Sequence, residues 1–361
     1  MDFAFTSEQE MLRSGIDRLL AKTYDFDARQ ASVASPEGRN LPVWTQLTEM
    51  GVLQLAFSEG DGGLGGAPSD MVALGEIFGK YLMAEPYLDY MLLGAQAYRL
   101  GGVAHSPIWH DVLSGTTRIA LAHEEAYGVG DVSVMATTFD GHTLSGEKRL
   151  VLGGDAADRF VVSARQGNRQ MLLNVAARAP GVSMTPYQTI DGRQASNVQF
   201  NRVTVAETDI LAEDCAAQLE EVLNLARLYL AAEAVGAVKV LVEASAEYAA
   251  TRKQFGKPIG SFQAVAHRLA DMKIAAVKLE AQLLATTALA DRQQATPRDI
   301  ALLKAQAGRL GQQVGESAIQ VHGGIGMTDE LSIGHYFKRL VAIDAMLGNS
   351  NYQLRRVGQL T

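Results

Sequence analysis

The C-terminal part of the chain carries the pattern that most constrains the fold, because apolar residues recur there at every third or fourth position. One series runs through Val265, Leu269, Met272, Ala276, Leu279 and Leu283, and the next through Ile300, Leu303, Ala307, Leu310, Val314, Ala318 and Val321. Residues with this spacing share one face of an α-helix. A polar run at 291–294, followed by Pro297, separates the two series. The pattern predicts a bundle of long helices that pack along these faces.

The rest of the chain divides into two regions with different residue patterns. Residues 1–115 show helical spacing that is interrupted by a glycine-rich loop at 59–66. Residues 116–212 contain short β-rich runs separated by turns at intervals of roughly ten residues, which predicts antiparallel strands in a barrel or sandwich. The predicted strands are 118–122, 132–138, 159–164, 171–176 and 197–200. The sequence therefore predicts a mainly α fold with an N-terminal helical domain at 1–115, a middle β-barrel domain at 116–212 and a C-terminal four-helix bundle at 213–361.

The N-terminal region begins with a recognisable helix start. The string TSEQE at 6–10 supplies a capping residue and an acidic first turn. Met11, Gly15, Leu19 and Leu20 fall on one face of the helix that follows, with Phe5 near its start. We expect this face to point into a helical core.

The composition excludes several classes of function. The 361 residues carry a net charge of −8 and no basic block, so nucleic-acid binding has no electrostatic footprint. Cys215 is the only cysteine, which excludes an intrachain disulfide and a cysteine-built zinc site and fits a reducing cytoplasm. The acidic start lacks a signal-peptide pattern, and no apolar run reaches about 18 residues. We expect a cytoplasmic protein without membrane insertion.

The first candidate binding motif is YAATRKQFGKPIGSFQ at 248–263. Gly256 and Pro258 predict that a helix ends near Arg252. The Arg252 guanidinium can donate two parallel hydrogen bonds to a diphosphate, and Phe255 offers an aromatic face beside it. Taken alone, the same residues are also compatible with a surface charge and a core phenylalanine at an ordinary helix end.

The second candidate motif is AIQVHGGIGMT at 318–328. Its three glycines follow a long predicted helix directly and allow backbone to come close to a ligand. Gln320 supplies both a hydrogen-bond donor and an acceptor. Taken alone, this motif is also compatible with an ordinary glycine stop after a helix.

Together the two motifs match a known family. An Arg-x-Gln-Phe-Gly string, a Gln eleven residues after that Arg, and a Gln-x-x-Gly-Gly-x-Gly string follow one another. On these motifs, and on the order of helices, β region and helices, the chain resembles the acyl-CoA dehydrogenase family over nearly its full length. The strings GEK at 146–148 and LADM at 269–272 match as well. The chain resembles in particular the small subunit of pimeloyl-CoA dehydrogenases, through YDF at 24–26, SPEG at 35–38, the segment 252–263 and GHYFKRL at 334–340.

The resemblance implies a flavoprotein that removes hydrogens from the α and β carbons of an acyl-CoA thioester. By similarity, a carboxylate takes the α-proton, FAD accepts the β-hydride, and hydrogen bonds to the thioester carbonyl stabilise the developing enolate. The resemblance also implies a dimer of dimers and an electron-transfer flavoprotein as electron acceptor. The residues that it implies to contact an FAD bound mainly by a neighbouring subunit are Arg252, Gln254, Phe255, Gln263, Gln320, Gly323, Gly324 and Asn349.

The chain departs from the family at the catalytic base. Many members carry a glutamate in a Tyr-Glu-Gly-Thr string, where this chain has Leu347, and others in a Glu-Arg-Leu string, where it has Ala226. Neither side chain can accept a proton, so the catalytic residue is left unassigned. The nearby acidic residues, each compatible with a base or with a solvated or ion-paired helix residue, are Glu220, Glu221, Glu233 and Asp344.

The positions that flank the flavin ring in the family also differ. Leu150, Val151 and Leu152 stand where Trp-Ile-Thr is usual, and AHEEAYGVGD at 122–131 replaces a Thr-Glu-Pro-x-x-Gly-Ser-Asp stretch. We interpret His123 in that segment as a surface residue at a strand end, with contact to flavin as the alternative.

Three interpretations of the function remain open. The chain is an acyl-CoA dehydrogenase, as a homomer or as the small subunit of a heteromer whose partner supplies the glutamate and the flavin-ring pocket. Alternatively, it is a catalytically inert subunit that binds FAD or CoA and stabilises a partner. The third interpretation is a helical interaction protein without flavin. The resemblance leaves the acyl chain open between a dicarboxylyl-CoA and a steroid side chain.

Overall fold

The computed structural model describes residues 6–35, 37–102, 106–125 and 135–360. They form two compact units. The helical unit comprises the described parts of Met1–Ala31, Pro68–Met83 and Arg227–Thr361, and the sheet unit comprises those of Ser32–Ala67 and Ala84–Ala226. In the described part of the chain, no helix is both long enough and apolar enough to cross a membrane.

Helices occupy the first and last thirds of the described chain. The N-terminal helices are α1 (Ser7–Thr23), α2 (Phe26–Ala34), α3 (Leu41–Glu49), α4 (Pro68–Lys80), a π-helix (Tyr87–Ala95), α5 (Gln96–Arg99) and α6 (Pro107–Leu113). The C-terminal helices are α7 (Ala216–Thr251), α8 (Gln263–Ala290), α9 (Pro297–His322), α10 (Ser332–Ala345) and α11 (Ser350–Gln359). Met272, Leu279 and Leu283 in α8 are buried, as are Leu303 and Val314 in α9. The two predicted helical faces are therefore confirmed.

Helix α1 begins as predicted but buries a different face. Thr6 and Gln9 form a reciprocal capping box, in which each side chain accepts from the other's backbone N–H. The buried residues of the helix are Ile16 and Leu20, whereas Met11 is exposed. The prediction was right for Leu20 and wrong for Met11, because the buried face runs through Ile16, and Phe5 lies outside the described residues.

Glycines allow helices α4 and α7 to approach closely within the helical unit. A Cβ atom added at Gly79 would lie 2.0 Å from the Glu233 carbonyl oxygen, and one added at Gly236 would lie 2.0 Å from the Glu76 carbonyl oxygen. No larger residue fits at either position without moving a backbone. The close crossing brings α4 against the segment of α7 that holds the buried Glu233 side chain.

The sheet unit contains one eight-stranded sheet with the path β6-β7-β3-β2-β4-β5-β8 and with β1 beside β4. Its strands are β1 (Ile119–Ala122), β2 (Thr138–Phe139), β3 (Thr143–Leu152), β4 (Arg159–Gln166), β5 (Arg169–Ala176), β6 (Val182–Gln188), β7 (Gln194–Thr204) and β8 (Ile210–Glu213).

The sheet corrects the antiparallel prediction at β4, which has two parallel neighbours. Strand β1 runs parallel to β4, with Ile119 opposite Arg159, and β2 also meets β4 in parallel. Four predicted strands coincide with β1, β4, β5 and β7. Of the fifth, predicted at 132–138, residues 132–134 lie outside the described residues, 135–137 are not in a strand, and only Thr138 belongs to β2. Strands β3 and β6 were missed because charged residues fill the middle of β3 and most of β6 is exposed, so neither shows apolar alternation.

The order of helices, β-sheet and helices confirms the predicted fold class. The boundaries at residues 115 and 212 that define three domains stay a prediction.

Candidate functional site

The motif at 248–263 forms a strained and exposed turn. Helix α7 ends at Thr251, and the two-residue strands β9 (Lys253–Gln254) and β10 (Lys257–Pro258) pair antiparallel. The two residues between them, Phe255 and Gly256, have φ angles of 53° and 79°. Positive φ is unfavourable for a residue with a bulky side chain, and such strain is concentrated at functional sites.

Phe255 is held on the surface. Its side chain is 92% exposed, and its ring meets the edge of Phe262 at a centroid distance of 6.1 Å. The Lys257 ammonium lies 4.4 Å from the centroid of the Phe262 ring, and Arg252 and Lys253 are exposed beside this turn. An exposed aromatic face surrounded by cations suits an anionic ligand that has a planar group.

The motif at 318–328 forms an open glycine turn. Helix α9 ends at His322, and a 3-10 turn covers Gly323–Met327. A Cβ atom added at Gly323 or Gly324 would find no atom of the described residues within 4 Å, so packing against them does not require glycine there. Gln320 is exposed on the last turn of the helix. The open space leaves room for a ligand or another subunit to approach the backbone.

The structure brings the two motifs together through the ends of three helices. The rings of Tyr248 in α7 and His322 in α9 stack with a centroid distance of 4.5 Å and an interplanar angle of 26°. From α8, Arg268 Nη1 donates to Ser317 Oγ in α9 over 3.4 Å. These contacts join the segment that carries Arg252, Gln254, Phe255 and Gln263 to the segment that carries Gln320, Gly323 and Gly324.

Asn349 is the predicted contact that the structure does not tie to this cluster. It lies at the start of α11, where its Oδ1 accepts a hydrogen bond from the Tyr352 N–H at 2.9 Å. None of its hydrogen bonds within the described chain reaches either motif.

The two family positions for the base contain apolar, buried side chains. Leu347 has a φ angle of 53°, and its carbonyl oxygen accepts from Arg227 Nε at 3.1 Å and from Gln353 Nε2 at 2.8 Å. Ala226 on α7 is fully buried. Neither side chain offers a proton acceptor.

The acidic alternatives are placed differently. Glu233 is fully buried and accepts two hydrogen bonds of 2.7 Å from Arg339, so it is an ion-paired helix residue. Asp344 accepts from Gln312 Nε2 and from the Ser350 N–H, which commits both carboxylate oxygens to structure. Glu220 is partly exposed and Glu221 is exposed, both on the first turns of α7.

The strand positions that replace the family's flavin-flanking residues lie at an irregularity of β3. The pairing of β3 with β7 shifts between Lys148 and Val151, and Leu150 there has a φ angle of 49°. Val151 and Leu152 are buried. In the segment 122–131, residues 126–131 lie outside the described residues.

His123 is buried, so its interpretation as a surface residue was wrong. Its Nδ1 lies 3.0 Å from Ser163 Oγ on β4. The sequence showed a histidine at a strand end, but not that β4, which pairs in parallel with β1, would cover it.

Lys148 is a buried cation whose environment the sequence did not indicate. Its Nζ donates to Glu125 Oε1 at 2.7 Å, to the His123 carbonyl oxygen at 3.1 Å and to Ser163 Oγ at 3.1 Å. Burial lowers the pKa of Lys148 to about 8, although Glu125 acts in the opposite direction. Partial burial favours the protonated form of Glu125, but Lys148 and backbone N–H groups outweigh it and hold the pKa of Glu125 below its usual value.

The buried ammonium leads to a prediction about pH. Between pH 8 and the ordinary lysine pKa of 10.5, the folded chain binds the Lys148 proton less than the unfolded chain does. The free energy of unfolding of the wild type should therefore rise over this range, relative to Lys148→Met, by about 2 kcal/mol. Urea unfolding of both proteins at several pH values measures the difference. If the free energies of unfolding of the two proteins changed equally with pH, the lowered pKa of Lys148 would be contradicted.

Comparison with known proteins shows which family the chain resembles. The family profile described as acyl-CoA dehydrogenase, C-terminal domain, matches residues 216–360. The acyl-CoA dehydrogenase FadE27 of Mycobacterium tuberculosis is 30% identical over 99% of this chain and 98% of its own length.

Solved structures give the same result. A chain of the ChsE4–ChsE5 complex from Mycobacterium tuberculosis is 28% identical with a TM-score of 0.88, over 99% of this chain and 98% of that chain. A chain of the Tcur3481–Tcur3483 steroid ACAD is 29% identical with a TM-score of 0.85, over 98% and 97%. The chain therefore belongs to the acyl-CoA dehydrogenase family, whose enzymes are oxidoreductases that act on CH–CH bonds.

Proposed function

We propose that the chain is a subunit of an FAD-dependent enzyme that dehydrogenates an acyl-CoA thioester at its α and β carbons. The observation that carries this proposal is the exposed, strained turn at Phe255 beside Arg252, joined through the Tyr248–His322 stack to an open glycine turn. A phenylalanine at positive φ on the surface costs conformational energy and buries little apolar area, so folding alone does not explain it, whereas ligand binding does.

The residues present fit FAD bound partly by another subunit. Arg252, with Lys253 and Lys257 nearby, supplies cationic donors for a diphosphate, and Phe255 supplies a face for stacking. The open backbone at Gly323 and Gly324 permits close approach. When bound, the flavin accepts the hydride from the substrate β-carbon. In this proposal Gln254, Gln263, Gln320 and Asn349 complete the set of cofactor contacts on this chain.

We assign the chain to the smaller subunit of a heteromer. Leu347 and Ala226 leave no carboxylate at either usual base position, whereas the groups that face outward towards a neighbour's cofactor are retained. The partner then supplies the glutamate and the pocket for the flavin ring. Two similar proteins are named as pairs, ChsE4–ChsE5 and Tcur3481–Tcur3483, which supports an assembly of unlike subunits. The arrangement as a dimer of dimers is proposed from the family resemblance alone.

The second candidate function is a catalytically inert subunit that binds FAD or CoA and only stabilises its partner. The same apolar residues, Leu347 and Ala226, favour it. Restoring a carboxylate by Leu347→Glu or Ala226→Glu in the assembled protein tests whether this chain has a competent site of its own. A rate above that of the unchanged assembly and of Leu347→Gln supports such a site and excludes the inert subunit. Equal rates leave catalysis to the partner's site, and an unchanged FAD affinity in Arg252→Ala would then favour the inert subunit.

The proposal includes the substrate class and the electron acceptor. The strings shared with pimeloyl-CoA dehydrogenases point to a dicarboxylyl-CoA, and the similar protein named a steroid ACAD points to a steroid side chain. Pimeloyl-CoA and a steroid-side-chain CoA thioester are therefore the two assay substrates. By family analogy, an electron-transfer flavoprotein in the cytoplasm takes the electrons.

The heteromer is tested by expressing the chain alone and together with a larger dehydrogenase encoded beside it. We expect little flavin and no acyl-CoA oxidation from the chain alone, because its own pocket lacks a base and the usual flavin-flanking residues. The mixture should contain stoichiometric flavin and oxidise the thioester. Absorbance of the purified proteins and acceptor reduction measure both. A lone chain that binds stoichiometric FAD and matches the rate of the mixture would refute the heteromer.

A further inference from the structure

The turn between α10 and α11 is held by buried side chains from other helices of the helical unit. Lys304 in α9 is fully buried, and its Nζ donates to the carbonyl oxygens of Asp344 and Gly348 at 3.2 Å each. Arg227 in α7 is 1% exposed and donates to the Leu347 carbonyl oxygen. Two cationic side chains thus have backbone carbonyls of one short turn as hydrogen-bond acceptors.

Helix α11 adds a third buried donor. Gln353 is fully buried, and its Nε2 donates to the carbonyl oxygens of Leu347 at 2.8 Å and Gly348 at 3.4 Å. A further hydrogen bond joins the two helices that flank the turn, because Asp344 Oδ1 in α10 accepts from the Ser350 N–H at the start of α11 at 2.9 Å. The carbonyls of Leu347 and Gly348 in the turn, and that of Asp344 in the last turn of α10, therefore all accept from buried side chains outside the turn.

These contacts stabilise a backbone conformation that its residues do not favour. Leu347 has a φ angle of 53° and Gly348 one of 90°. A leucine rarely adopts positive φ, and it persists there only when the surroundings determine the conformation. At Gly348 an added Cβ atom would lie 2.5 Å from Tyr352 Cδ1. Burial of cations is unfavourable unless they are well bonded, so a turn that only reversed the chain would not need them.

The residue that this conformation orients is Asn349. Its Oδ1 caps α11 through the Tyr352 N–H, which fixes the side chain and leaves the Nδ2 group as a donor. Within the described chain no group accepts a hydrogen bond from Nδ2, and the residue is partly exposed. The bonded turn therefore presents one oriented donor.

We infer that Lys304, Arg227 and Gln353 are positioning residues that fix the α10–α11 turn so that the Asn349 amide donates to the cofactor. The inference rests on the proposed function, in which Asn349 is an FAD contact. It adds that the buried cations act on cofactor affinity through Asn349 and not only on stability.

A double-mutant cycle on the assembled protein tests this inference. Lys304→Met and Asn349→Ala should each weaken FAD binding about tenfold, as expected for one lost hydrogen bond of about 1.4 kcal/mol. The double variant should bind FAD no more weakly than Asn349→Ala, because Lys304 acts through that residue. The dissociation constant is measured by flavin fluorescence, and the melting temperature is measured in parallel. Additive losses, or an unchanged affinity in Lys304→Met, would overturn the inference.

Matched variants separate positioning from stability. Lys239→Met removes a half-buried lysine of the same unit that bonds to Glu76 and Glu280, away from the turn. It should lower the melting temperature without weakening FAD binding, and an equal loss of FAD at an equal melting temperature would contradict positioning. Lys304→Arg restores the donors and should recover affinity. If Lys304→Met does not fold, Gln353→Met takes its place in the same cycle.

The failure of this inference is distinguishable from failure of the proposed function. Arg252→Ala reports on FAD contact independently of the turn. If Arg252→Ala leaves FAD binding unchanged, the proposed function fails. If Arg252→Ala weakens binding while the variants of the turn do not, only the positioning role fails.

Discussion

Replacing Arg339 by methionine is expected to lower the free energy of unfolding by about 3–5 kcal/mol, the range for breaking a buried ion pair from one side. Arg339 Nε and Nη2 each donate to a Glu233 carboxylate oxygen at 2.7 Å. The two side chains are 2% and 0% exposed. Without the guanidinium, Glu233 is left as a buried carboxylate without its fork of donors. Urea unfolding of wild type and variant measures the loss.

Two control variants show whether the loss in Arg339→Met comes from the buried ion pair. Lys80→Met removes a cation of the same unit whose pair with Asp17 is exposed, with side chains 48% and 42% accessible. It should cost no more than about 1 kcal/mol. The double variant Glu233→Leu/Arg339→Met replaces both charges by apolar groups and should recover most of the loss. An Arg339→Met variant as stable as Lys80→Met would show that the pair contributes little.

The pair also bears on the chemistry of the site. Glu233 was one of four acidic residues that the sequence left open as a base, and in the structure it accepts two hydrogen bonds from Arg339 within a buried ion pair. A general base needs to exchange protons with a substrate, and a fully buried carboxylate within a fork of donors is poorly suited to that. This supports the proposal that the glutamate comes from another subunit.

Local patterns explain which elements the sequence could predict. The helical faces of α8 and α9 follow from spacing alone, and the capping box at Thr6 needs only residues three apart. The strands β4 and β5 contain short apolar runs, at 160–162 and 171–173, between turns. In each case the determining contacts lie within one element or between neighbours in sequence.

Long-range contacts explain what the sequence could not indicate. The parallel pairing of β1 with β4 joins residues 40 positions apart, and it buries His123 against Ser163. The hairpin at Phe255 lacks the Asn-Gly or Asp-Gly pair that usually marks such turns, so the sequence did not indicate the positive φ of Phe255. The donors on the α10–α11 turn come from residues up to 120 positions away in the chain.

Replacing Arg252 by alanine is expected to weaken FAD binding by the assembled protein by about 10- to 150-fold. That range corresponds to the loss of hydrogen bonds to a charged group, about 1.5–3 kcal/mol. Arg252 is exposed at the end of α7, so its removal should leave the free energy of unfolding nearly unchanged. Flavin fluorescence gives the dissociation constant, and urea unfolding gives the stability. Arg18→Ala, which removes an exposed arginine from α1, is the matched control and should alter neither quantity.

Phe255 gives the same experiment a second arm in which affinity and stability change in opposite directions. Phe255→Gly removes the stacking face and should weaken FAD binding, but it also relieves a side chain at a φ angle of 53°. Relief of that strain should raise the free energy of unfolding by about 1 kcal/mol. A residue kept only for packing would show the reverse, because its loss would destabilise the fold and leave the ligand unaffected. A surface turn that becomes more stable as it loses its ligand is what a strained binding element requires, and parallel losses would remove the basis for assigning this turn to the cofactor.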